Sequence, residues 1–150
     1  MEIKLSIWRI FEEEFEYDSL GLNEIDNDKL QIRLITKYKI DPEGEFEIVV
    51  DVEYKYPNPN AKSLQTLFRF KSRVIFKSVD LIEQSKTDNV DKYNIPDVFI
   101  DLMVGTAIST TRGMMASKLS NTILAHHYLP LINLNEGKNI TSNNPSNEEE

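Results

Sequence analysis

Few residues in this chain combine the types and spacing that catalysis or metal binding requires. His126 and His127 are adjacent, so their imidazoles point apart in regular structure, and they lack the HxH or HxxxH spacing of a metal site. The run Glu12-Glu13-Glu14 could supply a carboxylate pair, but alternation along a strand sends successive side chains to opposite faces and predicts a solvated surface. Gly-rich phosphate loops and Ser-His-Asp clusters are not recognisable in the sequence. We therefore expect a protein that is not an enzyme and that needs no cofactor or metal.

Composition and charge narrow the remaining classes of function. A net charge of −8 disfavours nucleic-acid binding, because phosphate contacts need clustered Lys and Arg. The absence of cysteine removes disulfides, thiolate nucleophiles and Cys-ligated metals. The N-terminal stretch MEIKLSIWRIFEEEF does not resemble a signal peptide, and no apolar run approaches the length of a membrane span. With 150 residues and 40% hydrophobic content, we expect one domain, cytoplasmic and without membrane insertion.

Alternation of apolar and polar residues predicts four strands, each with one inward face. The inward positions are Ile3, Leu5, Ile7, Phe11 and Phe15; then Leu30, Ile32, Leu34, Tyr38 and Ile40; then Phe46, Ile48, Val50, Val52, Tyr54 and Tyr56; and finally Leu64, Thr66, Phe68, Phe70, Val74 and Phe76. Asp41-Pro42-Glu43-Gly44 has the composition of a hairpin turn between the second and third strands. Four such strands predict an antiparallel sheet that is covered on one side.

The charges on the opposite faces indicate the order of the strands. The second strand carries Arg33, Lys37 and Lys39, the third Glu47, Asp51 and Glu53, the fourth Arg69, Lys71, Arg73 and Lys77, and the first Glu12, Glu14 and Glu16. Opposite charges on neighbouring strands are favourable by roughly 0.2 to 1 kcal/mol per pair. The order first-fourth-third-second alternates in sign throughout, as does a simple meander. The long connection DSLGLNEIDND, residues 18–28, favours the former, with a Greek-key crossover.

One long helix is predicted after a polar link, starting at Ile95-Pro96-Asp97, where Pro suits the first turn and Asp97 and Asp101 suit the positive helix end. The spacing of the apolar residues along this helix predicts two apolar stripes. The first is Ile95, Val98, Phe99, Leu102 and Met103, and the second is Ile100, Val104, Ala107 and Ile108. We expect the first stripe to cover the sheet. The fold class is thus α+β, a four-stranded antiparallel sheet with a Greek-key crossover packed by one long helix in the C-terminal half.

The second stripe and a row of small residues on the helix predict self-association. The residues expected at an oligomer interface are Ile100, Val104, Gly105, Ile108 and Thr111. Alternatively, loops of the same chain cover this stripe, since rows of small residues also occur inside ordinary cores.

The helix sequence FIDLMVGTAISTTRG and the later block YLPLINLN resemble those of SecB-like protein-export chaperones. An aromatic residue opens the helix, an Arg-Gly pair lies near its end, and an apolar segment with Pro and Asn follows. The matching residues are Phe99, Ile108, Arg112, Gly113, Leu129, Pro130 and Asn133. The resemblance spans roughly residues 3–135, with its recognisable motifs between 94 and 135. The chain departs from the family in a longer segment before YLPLINLN and in the lack of a legible second C-terminal helix.

Several expectations follow from this resemblance. It implies a homotetramer, a dimer of dimers, that holds unfolded preproteins without ATP and delivers them to the translocase motor ATPase. Some members protect an antitoxin instead, and that destination remains an alternative here. The family's acidic motor-contact patch has a weaker counterpart, because Glu47, Asp51 and Glu53 are flanked by basic strands. A different class also remains open, namely a non-enzymatic scaffold or a binder of a small apolar ligand.

Apolar residues after the packed part of the helix and in the crossover loop form the predicted client-binding set. They are Leu20, Leu22, Ile25, Met114, Met115, Leu119, Leu124, Tyr128 and Leu131. Methionine is flexible and polarizable, so a Met-rich surface can adapt to many apolar sequences. The alternative is that these side chains close the hydrophobic core. Of the two adjacent methionines, we expect Met115 to lie in the client-binding groove and Met114 to pack inside the protein. Residues 1–135 make up the predicted chaperone domain, and the polar segment 136–150 is predicted to be a disordered tail.

Overall fold

The computed structural model describes residues 2–89, 92–127, 129 and 130. Its elements are β1 (Ser6–Tyr17), β2 (Gln31–Asp41), β3 (Glu45–Pro57), β4 (Leu64–Lys77), α1 (Val79–Ser85) and α2 (Asp97–Leu119). The strands form one antiparallel sheet in the order β1-β4-β3-β2. The connection from β1 to β2 therefore crosses the sheet from one edge to the other. This confirms the predicted α+β class, strand order and Greek-key crossover.

The alternating charges on the uncovered face of the sheet form ion pairs between neighbouring strands. Ion pairs join neighbouring strands: Arg33 with Glu53 at 3.5 Å, Arg69 with Asp51 at 3.1 Å and Arg73 with Glu47 at 3.5 Å. Each pair links a basic strand to the acidic strand β3, which lies between β2 and β4. The observed order is one of the two that the sign pattern allows, because unlike charges on adjacent strands attract and like charges repel.

The hydrophobic core lies between the other face of the sheet and α2. The inward side chains of β3 and β4 are almost fully buried; among them are Phe46, Ile48, Val50, Val52, Tyr54, Phe68, Phe70 and Val74. A short helix that the sequence pattern does not reveal, α1, closes one end of this core with Leu81 and Ile82. Ser78 caps it, accepting a hydrogen bond from the Leu81 amide at 3.2 Å. Seven residues are too few to display a helical period.

Helix α2 begins at Asp97 as predicted, but it packs mainly through the second stripe, joined by Met103 of the first. Its buried residues are Met103, Val104, Ala107, Ile108, Thr111, Met115 and Leu119. By contrast, Val98 and Leu102, which were expected to cover the sheet, are 68% and 55% exposed. The buried stripe continues to the C-terminal end of the helix, whereas the other is followed by small and polar residues. Packing the longer stripe removes more apolar area from water.

Strand β1 departs most from simple alternation. Two bulges interrupt its pairing with β4, one between Ile7 and Arg9 and one between Glu12 and Glu14. Each bulge adds one unpaired residue and shifts the following side chains to the other face. As a result, Phe11 lies opposite Arg73 on the uncovered face instead of joining the core. Apolar side chains of β1 that were expected inside the protein remain largely exposed.

Candidate functional site

Four large apolar side chains are exposed along β1, at one edge of the sheet. Ile7, Trp8, Ile10 and Phe15 are 45%, 49%, 46% and 44% exposed. Ile7, Ile10 and Phe15 pair directly with the inward residues of β4, so they lie on the helix side of the sheet. Helix α2 does not cover them. Glu12 lies on the same face, between Ile10 and Phe15. Several large apolar side chains exposed on one strand commonly mark an interaction site, because exposing them to water is unfavourable.

Cationic side chains lie close to the aromatic rings of this strand. The Lys77 ammonium is 4.5 Å from the centre of the Trp8 ring, and the Lys118 ammonium is 5.1 Å from that of Phe15. Such contacts hold the rings in position while leaving much of their surface open to solvent. A fixed ring loses less conformational entropy when a partner binds than a mobile ring does.

Three consecutive carboxylates of β1 form ion pairs near the exposed apolar residues. Glu12, Glu13 and Glu14 contact Lys118, Arg73 and Arg69 at 3.1, 2.7 and 3.6 Å, respectively. The two arginines are shared with the acidic strand β3, since Arg69 also pairs with Asp51 and Arg73 with Glu47. The hydrogen bond and charge of Asp51 raise the pKa of the Arg69 guanidinium, which stays cationic. These pairs fix the edge strand onto the sheet.

The predicted client-binding residues fall into three groups. Met115, Leu119 and Leu124 are only 2%, 3% and 1% exposed and lie in the chain's own core. This corrects their expected place in a groove, because Met115 and Leu119 lie on the inward side of α2 and Leu124, in the segment after the helix, packs against them. Leu20, Leu22, Ile25 and Met114 are half-buried against the same core. Tyr128 and Leu131 lie outside the described residues.

The residues predicted at an oligomer interface fall into a buried group and a partly exposed group. Val104, Ile108 and Thr111 face the sheet of the same chain and are at most 7% exposed, so they are not accessible to a second copy. Thr111 instead shares a buried hydrogen bond of 2.6 Å with Ser72 on β4. Gly105 and Ile100 are partly exposed. An open depression of about 600 Å³ lies on the solvent side of α2; it is lined by Asp101, Leu102, Gly105, Thr106, Ser109 and Thr110.

The Arg112 that belongs to the family-like motif anchors the segment following α2. Its Nε and Nη2 atoms donate hydrogen bonds to the carbonyl oxygens of Leu129 and Pro130 at 3.0 and 2.8 Å. The Tyr54 hydroxyl donates to the carbonyl oxygen of His127 at 2.9 Å. Burial raises the pKa of the Tyr54 phenol above its ordinary range, so the hydroxyl stays protonated, and a donor, further into the alkaline range. These hydrogen bonds position the segment that follows α2.

Neither a metal centre nor a membrane-spanning helix is present in the part of the chain described above. No three His, Cys, Asp or Glu side chains in that part come together as possible metal ligands. None of its helices has the length and apolar character that crossing a bilayer requires. His126 and His127 lie in the turns after α2.

Sequence reasoning missed Trp8 and Ile10 and assigned Ile7 and Phe15 to the core. The sequence did contain one sign of this exposed surface. Apolar residues occupy both faces of the first strand, since the adjacent Ile7 and Trp8 point to opposite sides. A strand buried on one face needs apolar residues on that face alone. Apolar residues on both faces, in a strand placed at the edge by charge order, indicate a surface available to a partner.

Comparison with known proteins identifies a fold neighbour. No protein-family model matches the sequence, and no curated protein matches it. Among solved structures, the chain is similar to the SecB-like chaperone Rv1957 of Mycobacterium tuberculosis, in complex with a ChAD peptide from the antitoxin HigA1 (Rv1956). The TM-score is 0.51 at 9% sequence identity, over 85% of this chain and 90% of that one. The chain therefore has a fold similar to that of a SecB-like chaperone.

Proposed function

We propose that this protein is an ATP-independent chaperone that binds unfolded segments of other polypeptides. The observation that carries the proposal is the row of exposed apolar side chains on β1: Ile7, Trp8, Ile10 and Phe15. The SecB-like fold adds support, because the fold neighbour was solved with a peptide from another protein. An unfolded chain exposes apolar residues, and covering them on β1 removes apolar area of both partners from water.

The half-buried residues Leu20, Leu22, Ile25 and Met114 extend the proposed client surface. The crossover loop leaves β1 at Tyr17 and is tied to the core, since the Asp26 amide donates to the Tyr56 hydroxyl at 3.2 Å. Leucines and a methionine that are partly exposed can adapt to clients of different sequence. The protein would thus recognise general apolar character instead of one specific sequence.

The destination of the client distinguishes two forms of this function. Preprotein export would add the translocase motor ATPase as a partner, which the family contacts through an acidic sheet face. Here Glu47, Asp51 and Glu53 are all engaged by arginines of neighbouring strands. Neutralised carboxylates attract a basic partner only weakly. We therefore favour the protection of a peptide-like segment, such as that of an antitoxin, over motor-coupled export.

Suppression of client aggregation tests the chaperone function. We expect the protein to keep several unrelated unfolded proteins soluble at near-stoichiometric ratio without nucleotide, and Ile10→Ser to weaken this activity. The matched control is Ile32→Ser, which changes the same residue type on the opposite edge strand at 36% exposure. Because both positions are exposed, neither variant should unfold the protein. Equal activity of the two variants, or no protection by the unmodified chain, would contradict the proposal.

Self-association through α2 is the second part of the proposal. Val98 and Leu102 are more exposed than any other large hydrophobic residues of this helix, and Leu102 lines the depression together with Gly105 and Thr106. Large side chains beside small ones allow two copies of the helix to interdigitate. A homo-oligomer, dimeric or tetrameric, would cover this face.

Light scattering coupled to gel filtration measures the oligomeric state. Thr106→Arg should shift the protein toward the monomer, because an arginine would occupy the depression and place like charges opposite each other. Asn60→Arg, in the exposed β3–β4 loop, is the control with the same charge change. A monomeric unmodified protein at micromolar concentration would contradict self-association without affecting the client-binding proposal.

A further inference from the structure

The crossover loop between β1 and β2 contains a tight turn with an unusual backbone. Leu20 and Gly21 have φ values of 54° and 71°, both in the left-handed region. The Leu22 amide donates a hydrogen bond to the carbonyl oxygen of Ser19 at 2.9 Å, which closes a four-residue turn. Two consecutive left-handed residues at its centre define a type I′ turn, in which glycine, asparagine and aspartate are preferred. Gly21 meets this preference, but Leu20 does not.

The left-handed conformation of Leu20 is strained, because the Cβ of such a residue lies too close to the following carbonyl oxygen. Among the described residues, the other non-glycine residue with positive φ is Lys62, at 50°, in the β3–β4 loop. Lys62 is polar and exposed, whereas Leu20 is apolar and half-buried. Strained backbone positions persist only where surrounding contacts hold them, and they cluster at functional sites. Strain at an apolar loop residue therefore indicates that the position of its side chain matters for binding.

Hydrogen bonds attach the crossover loop to the sheet on either side of this turn. The Asp18 amide donates to the carbonyl oxygen of Leu67 on β4 at 2.8 Å, and the Asp18 carboxylate accepts from the Leu20 amide at the same distance. Further along the loop, the Asp26 amide donates to the Tyr56 hydroxyl at 3.2 Å. Within the described residues, no other hydrogen bond joins the loop between these two attachments to the strands. Its position thus depends on the turn and on the two attachments.

We propose that the strained turn and the Tyr56 hydroxyl preorganise the crossover loop, so that Leu20 and Leu22 are held in place before a client binds. This inference rests on the proposed chaperone function and assigns positioning roles to Gly21 and Tyr56. The client is an unfolded segment whose apolar side chains pack on the exposed parts of the two leucines. Tyr56 is only 7% exposed and therefore acts through the loop. A loop that is fixed beforehand loses little conformational entropy when the client packs on it.

Three substitutions separate the position of Leu20 from its side chain. Gly21→Ala keeps Leu20 but disfavours the turn, because alanine avoids the left-handed region. The added Cβ would meet no atom within 4 Å beyond its chain neighbours, so the change acts on the backbone alone. Leu20→Asn keeps the turn, since asparagine tolerates left-handed backbone, but removes the apolar side chain. Tyr56→Phe removes the acceptor of the Asp26 amide and keeps the ring.

Each of these variants has a matched control outside the crossover loop. Gly44→Ala places alanine at another glycine with positive φ, in the turn between β2 and β3. Lys62→Asn places asparagine at the other strained non-glycine residue. Tyr38→Phe removes a hydroxyl from a half-buried tyrosine of β2. The controls reproduce each chemical change without altering the loop.

The probe is reduced and carboxymethylated lactalbumin, a polypeptide that stays unfolded, and calorimetry measures its affinity where every variant is folded. We expect Gly21→Ala and Tyr56→Phe each to weaken binding about three- to fivefold, since fewer molecules hold the loop in place. Leu20→Asn should weaken it about three- to tenfold through the lost apolar contact, and the controls should change it by less than about twofold. Hydrogen exchange should be at least about threefold faster at the Leu22 amide in Gly21→Ala and at the Asp26 amide in Tyr56→Phe.

Three results would overturn the inference. Unchanged affinity of Gly21→Ala despite faster exchange would show that the position of the loop does not affect binding. Unchanged exchange at the Leu22 amide would show that Gly21 does not hold the turn. An equal loss of affinity in Gly44→Ala would attribute the effect to lower overall stability. Each of these results, with the probe bound by the unmodified protein, refutes the positioning role alone. Failure of the unmodified protein to bind the probe refutes the chaperone function, and the positioning role with it.

Discussion

Replacing Met115 with glutamine tests the placement of the two adjacent methionines. Met115 is 2% exposed and lies among Arg112, Leu119, Leu124 and Leu129, in a gap too small for a water molecule. Glutamine has nearly the same length and flexibility as methionine but carries an amide. That amide would be buried without water, which costs roughly 1 to 3 kcal/mol of unfolding free energy. Met114 is half-buried, so the amide of Met114→Gln can reach solvent and should cost less than about 0.5 kcal/mol.

Thermal unfolding followed by circular dichroism measures this difference. For a domain of this size the Met115→Gln cost corresponds to a fall in Tm on the order of 3 to 12 °C, and Met114→Gln should fall by much less. Client binding, measured where both variants are folded, should be unchanged by Met115→Gln because that side chain is not on the surface. Equal melting of the two variants would refute the burial of Met115, as would selective loss of client binding by Met115→Gln.

Three further predictions follow from single contacts. Gly44→Ala should lower the unfolding free energy by roughly 1 to 2 kcal/mol, as measured by urea denaturation. Gly44 has φ +96°, which favours glycine, and an added Cβ would lie 3.2 Å from Val79. Arg112→Met should speed proteolysis after α2, since two main-chain carbonyls lose their donor; unchanged cleavage would contradict the anchoring role. Burial raises the pKa of Tyr54, so its contribution to stability is complete below about pH 10 and decreases above it. Tyr54→Phe should therefore lessen the loss of stability at alkaline pH, measured by urea denaturation between about pH 9 and 11, and an unchanged slope would contradict this.

The strands, their order and the start of the long helix could be predicted from the amino-acid sequence. Alternation of apolar residues depends on local geometry, in which successive strand side chains point to opposite faces. The charges on the uncovered faces left two strand orders, and the long connection at residues 18–28 favoured the one with a crossover, because a tight hairpin does not need such a length. The helix start at Asp97 follows from Pro96 and from the acidic first turn, which are also local signals.

Which apolar residues are buried depends on how the helix and the strands pack together. Helix α2 has apolar residues on two sides, and periodicity alone does not show which side meets the sheet; Val104 and Ile108 pack inward while Val98 and Leu102 remain exposed. The same choice places Met115 in the core. On β1, the bulges at Trp8 and Glu13 have no sequence signature, yet they reset which side chains face inward. Burial depends on contacts between elements far apart in the chain, so a local pattern identifies an apolar surface but not what covers it.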